Sequence, residues 1–576
     1  MDTQNFKKLT YGNSNFEKII TENYAYVDKT RFIELLEKET NPHHFFIRPR
    51  KFGKSLFYST LLHYYDVNKA DNFERLFGEL YIGKHPTPKR SSYMVMQFNF
   101  SGLNTADRQN FIDDFNSAIK ISIFEFMLRY QNIIPNVDML NEQLKEASTG
   151  SGRLKLVLAA MNTIGRKVFV LIDEYDHFAN DLIVMGKQHT GDEFYYTVVR
   201  ANGVVRDFYE TLKINTSDAL DRIFITGISP VMLNDLTSGF NIANNLTLEP
   251  AYNEMMGFTQ EEVNDLMLKT GVDPALIQVD MEMYYNGYLF NRNGGSKVYN
   301  PSMILYFFEQ LLRNGASENI IDSNMKTDYG RLQNLVQNGM NSLKLLEITK
   351  NNGVMSDIIS DFSIDRLDDD KYFVSLLFYM GLLTIDRQME GCLYLKIPNY
   401  SIRTVFWEYI EQLISDQNKD IMVDPSEQKE AVWQLAYRGN LTPYIDYVSR
   451  NIFCRLSNRD LERFDEKYIK IMLLNGLFQS KLYVPVTERE VESGYIDMYL
   501  QRSSLLPDLR YEWVWEIKYV KKSNEKNKKL LQAVKKEAFD QLARYRQAQD
   551  FAARSDVRYA VIIFIGKDRY EAHELT

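Results

Sequence analysis

Three stretches of the chain put residues where phosphate chemistry could be done. The first, FFIRPRKFGKSLF, carries Gly53-Lys54-Ser55 between a strand-like apolar run and a helix-like one. In that setting backbone N–H groups and a helix N-terminus can cradle phosphate, Lys54 can reach the β- and γ-phosphates, and the Ser55 hydroxyl can sit on Mg²⁺. The usual loop has glycine where this chain has Arg48, and a side chain there cannot take a positive φ cheaply. The second stretch, VFVLIDEYD, ends in Asp173-Glu174. Asp173 would hold the Mg²⁺ shell and Glu174 would orient or activate the attacking water. An acidic pair at the end of a buried strand is costly without a cation or hydrogen bonds. The third, RIFITG, ends near Thr226, where a polar sensor of the γ-phosphate would stand, with Ser229 just beyond. Together they predict Mg²⁺-ATP binding and hydrolysis. Arg200, Arg206 and Arg222 are available as an arginine finger, but each reads more readily as a surface or ion-pair residue, and none is assigned.

A second constellation lies near the C-terminus. GYIDMYL places Asp497 on one strand, and WVWEIKYV places Glu516 and Lys518 on the next, two residues apart and hence on one face. If the strands pair, Asp497 meets Glu516. Two carboxylates with a backbone carbonyl suit a hard cation such as Mg²⁺ or Mn²⁺, and Lys518 would position water or stabilise developing charge during phosphodiester hydrolysis. The plainer account is a solvated strand face, since charges alternate on many exposed strands. Against it, Val514, Trp515, Ile517 and Tyr519 flank the motif, and the following helix sets Gln541 and Tyr545 on one side. Residues 518–536 hold eight lysines and one acid, Glu525, a basic segment suited to DNA phosphates or to a solvated helical face.

Positioning these groups needs an α/β frame. Residues 45–49, 93–100, 168–172 and 222–227 are short, branched or aromatic runs separated by long amphipathic segments, which predicts a mainly parallel sheet. From about residue 250 the chain turns helical; Thr259 and Glu262 are spaced as a capping box, and YFVSLLFYMGLLTID…GCLYLKIPN outlines a helix followed by a small hairpin. After about residue 455 a helix, three strands, a lysine-rich helix and a closing strand form another α/β unit. We thus expect an ATPase domain at 1–250, a helical lid and winged-helix-like region at 251–454, and a nuclease-like domain at 455–576.

The 576 residues carry 68 Lys+Arg against 77 Asp+Glu, so a uniformly basic nucleic-acid coat is excluded while a local basic patch is not. Two cysteines and seven histidines leave little for a disulfide framework or zinc module. The N-terminus has no apolar signal-like core, and no apolar run approaches the ~20 residues that span a bilayer. The expectation is a cytoplasmic protein without a membrane partner, its self-association into a homo-oligomer left open.

The motifs also carry a resemblance. Tyr26-Val27-Asp28-Lys29-Thr30, then residues 48–55, then IDEYD, GFTQEEV, YYNGY…VYNP and GLLTID…IPN, resemble in order the bacterial AAA-ATPase-like family, over roughly 400 residues. Arg48, Pro49, Arg50, Lys51, Phe52, Gly53, Lys54 and Ser55 match its phosphate loop, with Lys51 in place of an arginine, so the missing glycine belongs to that pattern. The C-terminal motifs resemble the PD-(D/E)XK nuclease superfamily, and the Gln541/Tyr545 pair its RecB-related branch. That resemblance implies metal ligands at Asp497 and Glu516, a catalytic lysine at Lys518, and supporting or DNA-contacting roles for Gln541 and Tyr545. Tyr495 stands where an arginine is usual. A further acid often completes such sites, and Glu462, Glu466 and Glu490 remain candidates. The implied protein is an ATP-binding, DNA-acting nuclease, with defence against or processing of foreign DNA as its setting; the alternative is a nucleotide-switched regulator with an inactive nuclease fold.

Overall fold

The computed structural model describes residues 6–185, 191–200, 202–236, 240–277, 279–315, 321–322, 340–389, 391–417, 425–455, 466–480, 482–492, 494–503, 508–552, 554–566 and 568–575. Two compact units emerge. One comprises Met1–Ile277, Met281–Lys344 and Asn352–Ile402; the other comprises Gln278–Asp280, Leu345–Asn351 and Arg403–Thr576.

The first unit is organised by five parallel strands: β1 (His43–Ile47), β2 (Met94–Asn99), β3 (Val168–Asp173), β4 (Leu220–Gly227) and β5 (Asn244–Asn245), in the order β2-β3-β4-β1-β5. Every residue of β1 and β3 is buried, and their apolar stretches, 45–47 and 168–172, are what a sheet covered on both faces requires. Helix α1 (Lys54–Tyr65) packs on β2 and β3, and α2 (Arg108–Arg129) packs on β2. Because β4 lies between β1 and β3, the loop after β1 and the acidic pair ending β3 share the C-terminal edge of the sheet, where parallel sheets bind ligands.

Beyond the sheet, α3 (Gln260–Thr270) begins with the expected capping box: the Thr259 hydroxyl accepts from the Glu262 N–H, and the Glu262 carboxylate accepts from the Thr259 N–H. Helix α4 (Asp370–Tyr379) leads into the hairpin of β7 (Thr384–Met389) and β8 (Cys392–Lys396), and β6 (Gly353–Ser356) pairs with the other side of β8. This is the anticipated helix and hairpin.

The second unit holds a mixed sheet in the order β13-β12-β11-β10-β9. Its strands are β9 (Tyr483–Val491), β10 (Gly494–Arg502), β11 (Glu512–Val520), β12 (Val557–Ile565) and β13 (Arg569–Glu574). Helix α5 (Glu466–Ser480) precedes β9, and α6 (Lys528–Gln547) is the crossover that lets β11 and β12 run parallel. The expected closing strand is therefore not the last, since β13 folds back antiparallel on β12. Ala538, Leu542 and Tyr545 of α6 are buried against Val514, Val520, Val561 and Ile563; cutting Leu542 to alanine there would cost about 3 kcal/mol.

Candidate functional site

The loop after β1 is shaped by two left-handed residues, Lys51 (φ 66°) and Gly53 (φ 94°). A Cβ at Gly53 would meet nothing within 4 Å, so backbone conformation rather than space calls for glycine. Arg48 takes no positive φ, which disposes of the misfit posed by the missing glycine. Its side chain also leaves the loop. Only 1% exposed, its guanidinium donates to the carbonyls of Ile47 (3.0 Å), Thr247 (2.8 Å) and Tyr252 (3.0 Å), and it lies 4.2 Å from the ring centroids of both Phe46 and Phe290. The expected nucleotide contact by Arg48 is thus not made by its guanidinium, which ties the loop to neighbouring segments. Phe52 likewise turns inward, against Tyr288 and Phe290.

Lys54 behaves differently. Its Nζ donates to the carbonyls of Arg48 and Pro49, each at 2.9 Å, and burial pulls the ammonium down to about 8. The Ser55 hydroxyl donates to Asp173 Oδ2 at 2.9 Å, so the hydroxyl and carboxylate expected around Mg²⁺ are adjacent. Burial pushes the carboxyls of Asp173 and Glu174 above their ordinary values. Glu174 sits at φ 52°, a sharp turn off the strand, with its carboxylate 3.8 Å from His177 Nε2. His177 was not singled out from the sequence; a hydrogen bond to Asp181 raises its pKa. Arg50, Lys51, Lys54, Ser55, Glu174 and His177 line one cavity of about 560 Å³, a size suited to a small ligand.

The expected sensors are committed elsewhere. Thr226 is fully buried and its hydroxyl donates to the Phe46 carbonyl at 2.8 Å, across the β1–β4 pairing, so it does not present a group to phosphate. Ser229 donates to Asp176 (2.9 Å) and Asn180 (3.0 Å), while Asp176 also accepts from the Ser229 N–H (2.7 Å). Of the arginines considered as fingers, two follow the plainer reading, Arg200 pairing with Asp235 and Arg206 with Glu210, whereas Arg222 is buried and donates to the Leu36 carbonyl. The Tyr26–Thr30 motif is structural as well. Asp28 accepts from the Thr30 N–H and hydroxyl, and Lys29 pairs with Glu262 at 2.6 Å.

In the second unit Met498 stands opposite Trp515, and one step along that register brings Asp497 opposite Glu516. Asp497 Oδ2 accepts from the Ile517 N–H at 2.8 Å, and Oδ1 accepts from Lys470 at 2.6 Å. Glu516 is 1% exposed; its Oε1 accepts from Lys518 Nζ at 2.7 Å, and its buried Oε2 accepts no hydrogen bond. Burial first, then the charge of Asp497, pushes the Glu516 carboxyl up to about 7. Burial pulls Lys518 down, but the bond to Glu516 and the two carboxylates hold its ammonium above the ordinary value. Tyr545 donates to the Tyr495 carbonyl at 2.7 Å, and burial followed by the charges of Glu516 and Asp497 pushes it up to about 12. Gln541 keeps a buried side-chain oxygen without a hydrogen bond.

Such a pair fits a hard divalent cation: two facing carboxylates, one holding a buried oxygen with no donor. Among the described residues no three His, Cys, Asp or Glu side chains converge, so the protein ligands in view are this pair. Of the acids considered as a further ligand, Glu466 lies on α5, 3.9 Å from Lys470; Glu462 and the Glu490 side chain lie outside the described residues. Lys470 was missed. Its only signal was a lone lysine in the apolar run YIKIMLLNGLF. The basic segment is partly spent: Lys522 pairs with Asp568 and Lys535 with His573, whereas Lys521, Lys526, Lys528, Lys529 and Lys536 are exposed.

Comparison with known proteins finds a domain family in each half of the chain. Residues 10–237 match the family described as predicted AAA-ATPase, and residues 464–574 match the PD-(D/E)XK nuclease superfamily. An uncharacterized protein in the vnfD 5' region of Azotobacter chroococcum mcd 1 is 29% identical over 318 residues, 53% of this chain and 52% of that protein. The chain thus spans about half the length of that curated relative. The Walker-type ATPase PABY2304 of Pyrococcus abyssi is 14% identical over 69% of this chain and 98% of its own, with a TM-score of 0.38. The ORC2 protein of Aeropyrum pernix, solved in ADPNP-ADP complexes, is 9% identical over the same 69% and 98%, with a TM-score of 0.34. No helix among the described residues is long and apolar enough to cross a membrane. The chain therefore carries an AAA-ATPase-like domain at residues 10–237 and a PD-(D/E)XK nuclease superfamily domain at residues 464–574.

Proposed function

We propose that residues 1–250 bind and hydrolyse Mg²⁺-ATP, that residues 251–454 act as lid and winged-helix-like region, and that residues 455–576 cleave DNA with Mg²⁺ or Mn²⁺, in the processing of foreign DNA or defence against it. In the first domain Lys54 and the loop N–H groups bind the phosphates, Ser55 and Asp173 hold the cation, and Glu174 takes up a proton from the attacking water. In the second, Asp497 and Glu516 hold the metal while Lys518 orients water and offsets charge on the phosphate; exposed lysines of residues 521–536 bind the DNA backbone. A divalent cation supplies Lewis-acid polarisation of the phosphate at each site.

The observation that carries the nuclease half is the buried Glu516 oxygen without a donor, facing Asp497 and beside Lys518. A buried acceptor left this way costs about 1–3 kcal/mol, a cost that a cation removes. The test incubates the full chain with supercoiled and single-stranded DNA, Mg²⁺ or Mn²⁺, with and without ATP. Cutting by the wild type and its loss in Lys518→Ala, at unchanged ATP affinity, is expected; unchanged cutting in Lys518→Ala overturns the assignment.

One observation favours the second reading, a nucleotide-switched DNA- or protein-binding regulator with an inactive nuclease fold. Lys470 already sits on Asp497. DNA binding without nicking in every lane supports that reading.

A further inference from the structure

Lys470 is a charged group at the C-terminal site to which phosphodiester hydrolysis gives no task. It projects from α5 and is 6% exposed. Its Nζ lies 2.6 Å from Asp497 Oδ1 and 3.9 Å from Glu466 Oε1, one helical turn back. A buried ammonium is tolerated only when paired, so the contact with Asp497 is what keeps this lysine inside. That contact also decides who else can use the carboxylate. Asp497 Oδ2 accepts from the Ile517 N–H and Oδ1 accepts from Lys470, so each oxygen already has a donor and the one on Oδ1 is charged. Asp497 and Glu516 each have an ammonium at hydrogen-bond distance without any ion. A divalent cation reaching Oδ1 would stand beside an ammonium in a site with little water to screen the two, and that repulsion is strong.

We propose that Lys470 is a built-in counter-cation that competes with the divalent ion for Asp497, swinging toward Glu466 as the ion binds and returning as it leaves. The proposal rests on reading Asp497 and Glu516 as metal ligands. Lys470 is on this view a positioning residue: it keeps the two strands' carboxylates together and sets how readily the centre loads with metal. Glu466 is close enough to receive the displaced ammonium by side-chain rotation alone.

The test is Mn²⁺ binding to the full chain without nucleotide, followed by the free-Mn²⁺ resonance signal, with Glu516→Gln marking the share due to this site. Lys470→Met keeps length and apolar packing while removing the charge; Lys470→Gln serves if the methionine variant does not fold. Expected are an affinity about tenfold tighter or more in the neutral variant, as when a buried pair no longer has to be opened, a larger Mn²⁺-induced rise in Tm, and return to weak binding in Lys470→Arg. Binding equal to or weaker than wild type in the neutral variant overturns the proposal while leaving the metal assignment standing, provided Glu516→Gln still removes it. Absence of any Glu516-dependent Mn²⁺ binding in both proteins overturns the two together.

Discussion

Replacing Glu516 by glutamine should stabilise the second unit at pH 8 in the absence of divalent metal, although it removes a carboxylate from beside a lysine. Burial, and then the neighbouring Asp497, raise the Glu516 pKa from 4.5 to about 7. Lys518 and Lys470 pull the value down and do not outweigh those effects. The folded state therefore holds a proton that the unfolded chain has released, stability falls as pH rises from about 4.5 to about 7, and above that it stays level. A shift of that size corresponds to about 3 kcal/mol lost at pH 8. Glutamine keeps the shape and never ionises, so it retains what the wild type has at low pH. All four tryptophans, Trp407, Trp433, Trp513 and Trp515, fall in the second unit, so urea unfolding followed by tryptophan fluorescence reports it selectively. In EDTA the two proteins should coincide near pH 4.5 and separate to about 3 kcal/mol at pH 8, with the variant the more stable. Added Mn²⁺ should stabilise the wild type alone. A variant less stable than wild type at pH 8 in EDTA would refute the reasoning, because Glu516 would then gain from ionising in its site.

The first unit offers two further tests. Lys54→Ala should weaken ATP binding by about a hundredfold, read by calorimetry, because a charge-assisted hydrogen bond to phosphate is lost from a dry site; Mn²⁺ binding that depends on Glu516 should not change. Arg48→Met gives up three hydrogen bonds to carbonyls and two ring contacts, and should lower stability by about 3 kcal/mol or more, seen as an earlier calorimetric transition at unchanged tryptophan fluorescence.

What could be read in advance was local. A six-residue loop between a strand and a helix has few conformations, so Gly53-Lys54-Ser55 and the acidic end of β3 declared their positions through spacing alone, and strands covered on both faces betray themselves as apolar runs. Asp497 opposite Glu516 followed from strand alternation once the strands paired. Thr226 was misjudged because being at a strand end does not say which neighbour takes the hydroxyl; the β1 carbonyl at Phe46 does. Arg48 belongs to the loop but turns away from its ligand side, since the Thr247 and Tyr252 carbonyls and the Phe290 ring that help draw it inward lie about two hundred positions or more along the chain. Lys470 carries no mark of that role in the sequence because its carboxylate comes from a strand 27 residues on.

Two of the buried lysines, Lys54 and Lys470, differ in their partners. Lys54 spends its hydrogen bonds on two neutral carbonyls, and burial pulls its pKa down to about 8 although Asp173, Asp176 and Glu174 partly offset it. A polyphosphate supplies the missing negative charge directly, so the loop is poised for an anion. Lys470 spends its bond on a carboxylate, so Asp497 already has an ammonium beside it. Adding a divalent cation there brings further positive charge, which a phosphodiester ligand can offset. If so, metal and DNA should bind that site cooperatively, each raising the affinity of the other, whereas ATP needs no such partner in order to be held by Lys54.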